Sequence, residues 1–185
     1  MLKTLLRVGA LAAFFSLPLI ASSQALPTAT GHGQILVGAG ATMGRPDFGQ
    51  DWIGGITVFA DYNRWTHIGA EADAHILSLH TPEDLAEDTY EGGPRFYLRR
   101  GRYMLYGKAL VGYGREIVQN LNDNPGKFNA SSFMYSAGGG IDIKFAHHIT
   151  VRAFDFEYQS WPNFGNHGLS PAIGTVGVAY RFHSQ

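Results

Sequence analysis

The sequence predicts an all-β chain, an eight-stranded antiparallel up-and-down transmembrane β-barrel. Three observations carry that expectation. Apolar and polar residues alternate with period two almost everywhere beyond Thr30. The connections between the alternating runs are short and long in turn. Charges occupy alternate positions of otherwise apolar stretches, most plainly in GGGIDIKFAHHITVRAFDFEYQSW (138–161). There Asp142, Lys144, Arg152, Asp155 and Glu157 interrupt Ile, Phe, Val and Tyr. No helical face collects those charges, and a soluble core would not accept them unpaired.

The N-terminus sets the compartment. MLKTLLRVGALAAFFSLPLIASSQA carries Lys3 and Arg7, then an apolar stretch from Val8 to Ala21, then small residues ending in Ser-Gln-Ala. That is the charged head, apolar middle and cleavage site of a secretory signal peptide, so residues 1–25 are expected to be removed. The apolar stretch falls short of the ~20 residues of a spanning helix and contains Pro18. Residues 26–185 are then expected to form one barrel domain. The chain has no cysteine, hence no disulfide and no cysteine-linked lipid. With 14 basic and 15 acidic residues, and Lys3 and Arg7 lost with the leader, the exported chain is mildly acidic. Such a balance gives no footprint for nucleic acid. After the leader no apolar run is long enough for a spanning helix, so a membrane crossing requires a closed barrel.

The strands are expected at about 33–44, 52–62, 67–79, 89–100, 102–115, 132–145, 149–159 and 170–182. Each has at least the ~9–11 residues that a tilted strand needs to cross a hydrocarbon core. Short turns fall at 63–66, around Gly101 and at 146–148; longer polar segments fall at 45–51, 80–88, 117–131 and 160–169. Short turns on one side and long loops on the other mark an outer-membrane barrel with both chain ends on the short-turn side.

Parity assigns the faces, because a one-residue slip would exchange them. In the third strand Ile68, Ala70, Ala72, Ala74 and Ile76 oppose Gly69, Glu71, Asp73 and His75. In the sixth, Tyr135, Ala137, Gly139, Ile141 and Ile143 oppose Ser136, Gly138, Gly140, Asp142 and Lys144. The seventh sets Phe154, Phe156 and Tyr158 against Ala153, Asp155, Glu157 and Gln159, and the eighth sets Val176, Val178, Tyr180 and Phe182 against Thr175, Gly177, Ala179 and Arg181. The charged face is also rich in glycine (Gly38, Gly40, Gly112, Gly114, Gly138, Gly140, Gly177). Glycine weakens a strand, and an open surface gains nothing from it, whereas a narrow interior needs the room. The charges are therefore assigned to the lumen: Asp61, Glu71, Asp73, Glu91, Asp142, Asp155 and Glu157 with Arg95, Arg99, Lys108, Lys144 and Arg181. Arg152 has lipid-facing parity near a short turn and is expected to snorkel to the headgroups. Trp52, Tyr62, Trp65, Tyr103, Tyr158 and Trp161 fall at strand ends, where interface girdles sit.

Over essentially its whole mature length the chain resembles the small eight-stranded outer-membrane barrels of the OmpA/OmpX-like family. GPRFYLRRGRYMLYGKALVGYG (93–114), GGGIDIKFAHHITVRAFDFEY (138–158) and IGTVGVAYRF (173–182) carry the resemblance. It implies an integral protein of the cell outer membrane, held by lipid. Val176, Val178, Tyr180 and Phe182 are similar to the C-terminal signal that the barrel-assembly machinery reads, although His183-Ser184-Gln185 follow the aromatic residue.

The residues say less about chemistry. Enclosed charges must be paired or hydrated, so the lumen network reads first as a structural plug, with a narrow path for ions or small solutes as the alternative. His75 with Glu71, Asp73 and His80 suggests a metal, but neither this group nor His147-His148 has the spacing of a zinc motif, and no cofactor or metal is expected. Some barrels of the resembling type modify lipid A. The Ser/His candidates are His75 and Ser78 with Glu71, and His167 with Ser170. Ser78 has the wrong parity, and the second pair has no nearby acid. The expectation is a monomeric, non-enzymatic barrel serving envelope structure or surface interaction through its long loops. A narrow channel is the alternative, and a lipid A-modifying enzyme the third reading.

Overall fold

A computed structural model describes residues 33–47, 52–80, 85–119, 127–164 and 168–183. The expected signal peptide, residues 1–25, lies outside the described residues, as does His167. Eight strands follow in chain order: β1 (Gln34–Arg45), β2 (Ile53–Asn63), β3 (Ile68–His80), β4 (Leu85–Arg100), β5 (Tyr103–Gln119), β6 (Lys127–Lys144), β7 (Ile149–Ser160) and β8 (Ala172–His183). Each pairs antiparallel with its neighbours, and β1 closes on β8 from Gln34 opposite His183 to Arg45 opposite Ala172. Closure leaves no strand edge, so the wall satisfies its own backbone groups.

The central strands run longer than the alternation indicates. β4 begins at Leu85 and pairs with Val118, and β5 and β6 remain paired as far as Gln119 opposite Lys127. Glu87, Asp88, Arg115 and Glu116 break the apolar alternation there, but backbone pairing does not need an apolar face. At the other end, Gly101 (φ 62°) opens the two-residue turn between β4 and β5. A left-handed residue at that position lets a tight hairpin follow the strand twist.

Side chains divide as parity predicts. Val37, Val58, Leu98, Leu105, Val111 and Val178 point outward and are exposed, Leu98 by 62%. Tyr62, Trp65, Tyr103 and Phe182 ring this apolar band near the short turns, and Trp52, Tyr90, Tyr113, Tyr135 and Tyr158 ring it near the long loops; all are exposed. Charged residues are buried inside. A water-soluble barrel would show the opposite arrangement.

Glycine makes room within. A Cβ on Gly114 would lie 2.1 Å from the Trp161 indole, and one on Gly38 2.5 Å from the Phe59 ring. Trp161 itself is a correction. It is fully buried instead of standing in the girdle, and its indole Nε1 donates to Gln159. The reason is parity: Asp155, Glu157 and Gln159 share the lumen face of β7, and Trp161, one residue beyond the strand and bridged to Leu169, keeps that face. Arg152 is a second correction, being only 1% exposed. The β6–β7 register shifts between Ile141 and Asp142, and the β7–β8 register between Arg152 and Asp155. This bulge leaves Ala153 and Phe154 both outside, so Arg152 joins Asp155 on the lumen side.

Val58 sits mid-strand on the outer face, between Ala39 and Ala74. Val58→Arg is expected to cost about 2–4 kcal/mol of folding stability in lipid vesicles, read by urea titration of the refolded chain, while Val58→Leu leaves the midpoint in place.

Candidate functional site

The lumen is layered along the barrel axis. At the short-turn end, Gln34, Arg99, Arg102, Lys144, Thr150 and Arg181 line a cavity of about 190 Å3 that reaches inward to Asp142. Arg99 donates to Gln34 at 2.8 Å, and Arg181 to the Thr150 hydroxyl. Arg99 and Lys144 are exposed here, which corrects their placement in the enclosed network. They have lumen parity but stand on the last residues of their strands, where the lumen opens.

Above them two guanidiniums share three carboxylates. Arg95 Nη1 pairs with Asp61 at 2.5 Å, and the guanidinium donates from Nη1 to Glu71 (2.9 Å) and from Nη2 to Asp142 (2.5 Å). Arg152 reaches the same three, at 3.1, 2.9 and 3.3 Å, and adds Asp155 at 3.3 Å. Each guanidinium also lies over an aromatic ring, Arg95 over Tyr106 at 3.6 Å and Arg152 over Phe59 at 3.7 Å. The planar fork suits this duty, donating at its edge while its face stacks.

The next layer is a cage around one ammonium. Lys108, on β5, donates to Asp73 (2.6 Å), Asp155 (2.8 Å) and Glu71 (3.2 Å), and its ammonium lies 3.0 Å from Glu157 Oε2 as an ion pair. The four acids alternate along β3 and β7, so the lysine crosses between strands that are not neighbours. Beyond it lies a less charged layer. His75 Nδ1 meets the Thr57 hydroxyl at 2.6 Å, and Thr57 continues to Thr42 and Thr175. His75 Nε2 lies 3.2 Å from Glu91 and 3.6 Å from Glu157. Ser136 donates to Glu91, and Gln159 to Glu157 at 2.7 Å.

The loop end is packed with apolar side chains, beside which Glu87 and Glu116 are also buried. Ile53, Leu77 and Ile173 form one buried cluster; Met134, Trp161 and Leu169 form another, with Phe164 against it.

Ten of the twelve expected network residues are thus buried together or at the mouth, and two are exposed rim residues. Sequence reasoning placed Ser136 and Gln159 on the lumen face but outside the charge network, and did not name Thr57, which is buried in the lumen with them. Only a bulge brings in Arg152, and nothing in the sequence marks it. His75 finds Glu91 and Glu157 across the lumen, a pairing that depends on which strands face one another. Ser78 is exposed, on the opposite face from His75, as its parity indicates.

A closed wall that is apolar outside and ion-paired inside defines an integral barrel of the outer-membrane type. The chain belongs to the family described as outer membrane protein beta-barrel domain, whose model matches residues 10–182. No curated protein sequence matches it. Among solved structures it is similar to Neisserial surface protein A (TM-score 0.63, 11% identity, covering 81% of this chain and 97% of that one). It is also similar to Ail, the attachment invasion locus protein of Yersinia pestis (0.57, 15%, 82% and 99%). A third likeness is to the outer membrane protein OprG from Pseudomonas aeruginosa (0.55, 13%, 83% and 97%). These likenesses concern the fold.

Removing one partner of a buried ion cluster strands the others. Arg152→Met is expected to cost about 3–5 kcal/mol in the same vesicle titration, and a loss below about 1 kcal/mol would contradict a central role for Arg152.

Proposed function

We propose that this protein is a monomeric, non-enzymatic outer-membrane barrel with a closed lumen, serving envelope structure or surface interaction through its long loops. Export through a cleaved signal peptide and insertion by the barrel-assembly machinery, reading Val176, Val178, Tyr180 and Phe182 on the outer face of β8, belong to the same proposal. The observation that carries it is the continuous occupation of the lumen, from the Arg95–Arg152 pair through the Lys108 cage to the apolar clusters at the loop end. An interior filled by side chains leaves the loops and strand tips as the surface free to meet a partner.

The charge of those tips narrows the partner. Of the five acids in TPEDLAEDTYE (81–91), which has no base, Glu87 and Glu91 are buried, leaving Glu83, Asp84 and Asp88 to charge the tip. Ail, one of the structural neighbours, also has a structure in complex with the heparin analogue sucrose octasulfate. An acidic tip would repel such a polyanion, so the partner proposed here is a cationic or uncharged surface.

A narrow channel is the second reading, and the cavity at the short-turn end favours it. Planar-bilayer recording of the refolded chain separates the two. The proposal expects no reproducible unitary conductance; regular steps of one size would establish the channel. Lipid A mass spectra unchanged by expression of the protein are the matching expectation for a non-enzyme.

A further inference from the structure

The interior holds more carboxyl groups than permanent cations to balance them. Between the arginine pair and Glu91, the buried carboxylates are Asp61, Glu71, Asp73, Glu91, Asp142, Asp155 and Glu157, against the three permanent cations Arg95, Lys108 and Arg152. Four of these groups come together beyond the Lys108 cage. One ligating atom from each of Asp73, His75, Glu91 and Glu157 lies within 4.8 Å of the others, and all four residues are buried. We propose that Asp73, His75, Glu91 and Glu157 form a binding site for one divalent transition-metal ion inside the barrel.

The hydrogen bonding is arranged around that point. Ser136 occupies Glu91 Oε2, Gln159 occupies Glu157 Oε1, and Lys108 occupies Asp73 Oδ2. The opposite atoms, Asp73 Oδ1, Glu157 Oε2 and His75 Nε2, are buried without a hydrogen bond. Glu91 Oε1 has only a long contact of 3.4 Å from Gln159, and Glu157 Oε2 lies 3.0 Å from the Lys108 ammonium. His75 Nε2 makes no hydrogen bond although two carboxylate oxygens lie 3.2 and 3.6 Å away, so they flank its axis instead of meeting it. Ligands about 2.0–2.1 Å from a tetrahedral ion are separated from one another by roughly 3.3 Å, which those two distances bracket.

The outer shell matches. His75 Nδ1 lies 2.6 Å from the Thr57 hydroxyl, and the tautomer that donates Nδ1–H there presents the Nε2 lone pair to the centre. Thr57 is itself held by Thr42, so the ring orientation is set from behind. One imidazole with three carboxylates selects first-row transition ions over Mg2+ and Ca2+, which take oxygen ligands. The ion's double charge offsets part of the surplus of carboxylates, which makes its place beside Lys108 tolerable.

The test uses the full chain, refolded into detergent micelles with Zn2+ or with a chelator, then freed of unbound metal. Metal analysis is expected to find one Zn2+ per folded chain, and His75→Gln and Glu91→Gln to reduce it at least tenfold. Both variants keep the surface histidines, and their folding is checked by the heat-dependent shift in SDS gels. Wild-type protein holding no Zn2+, or variants retaining it, would overturn the proposal. If neither variant folds, Co2+ loaded into the wild type decides. The intense visible absorption of a four-coordinate centre supports the site, and the faint spectrum of hydrated Co2+ refutes it.

Discussion

Arg95, Arg152 and Lys108 hold the inside of this barrel against the mutual repulsion of the acids around them. A wall that turns its apolar side chains outward has only one other face, and every charge on the crossing strands must go there. Once enclosed, the carboxylates of β2, β3, β6 and β7 cannot be left to water, and the cations of β4, β5 and β7 reach them across the barrel. Most of these links therefore join strands that do not touch in the sheet. They add a second set of connections to the backbone ladder. An ion cluster of this kind does not by itself stabilise a fold more than well-packed apolar groups would, but breaking it is costly. Its contribution is to fix which strands face one another.

The two ends of the lumen differ in chemistry. Near the long loops, Ile53, Leu77 and Ile173, with Met134, Trp161 and Leu169, pack the interior with hydrocarbon beside the buried Glu87 and Glu116. Near the short turns, Arg99, Arg102, Lys144 and Arg181 leave a basic, partly open cavity. Glycine in the wall allows both arrangements, since Gly114 yields its side-chain space to the Trp161 indole. A lumen filled in this way supports the reading in which activity resides in the loops.

Much of this was legible in the residues, because one rule governs both fold and site. Period two with alternating loop lengths is enough for eight strands, and parity alone places Asp61, Glu71, Glu91, Lys108 and Asp155 inside. The same rule would have placed Trp161 correctly, had its parity with Gln159 been weighed above its position at a strand end. Arg152 was not legible. A bulge at Ala153 and Phe154 inverts the parity of a single stretch, and neither residue has the glycine signature that marks many bulges. Strand length was understated for β4, β5 and β6, because pairing continues where the side chains have become polar. Cross-lumen partners such as His75 with Glu91 and Glu157 depend on tilt and stagger, which no single strand encodes.

The face assignment underlies all of this, and the native tryptophans allow a direct test. In a chain with Trp52 and Trp65 changed to Phe, Trp161 remains as a reporter inside the barrel, and Val178→Trp adds a second on the outer wall. In bilayers of lipid with brominated chains, the account predicts unquenched emission from Trp161 alone and a strongly quenched component when the tryptophan at 178 is present. Quenching of Trp161, with no added quenched component from position 178, would mean that the apolar face is turned inward and would contradict the account.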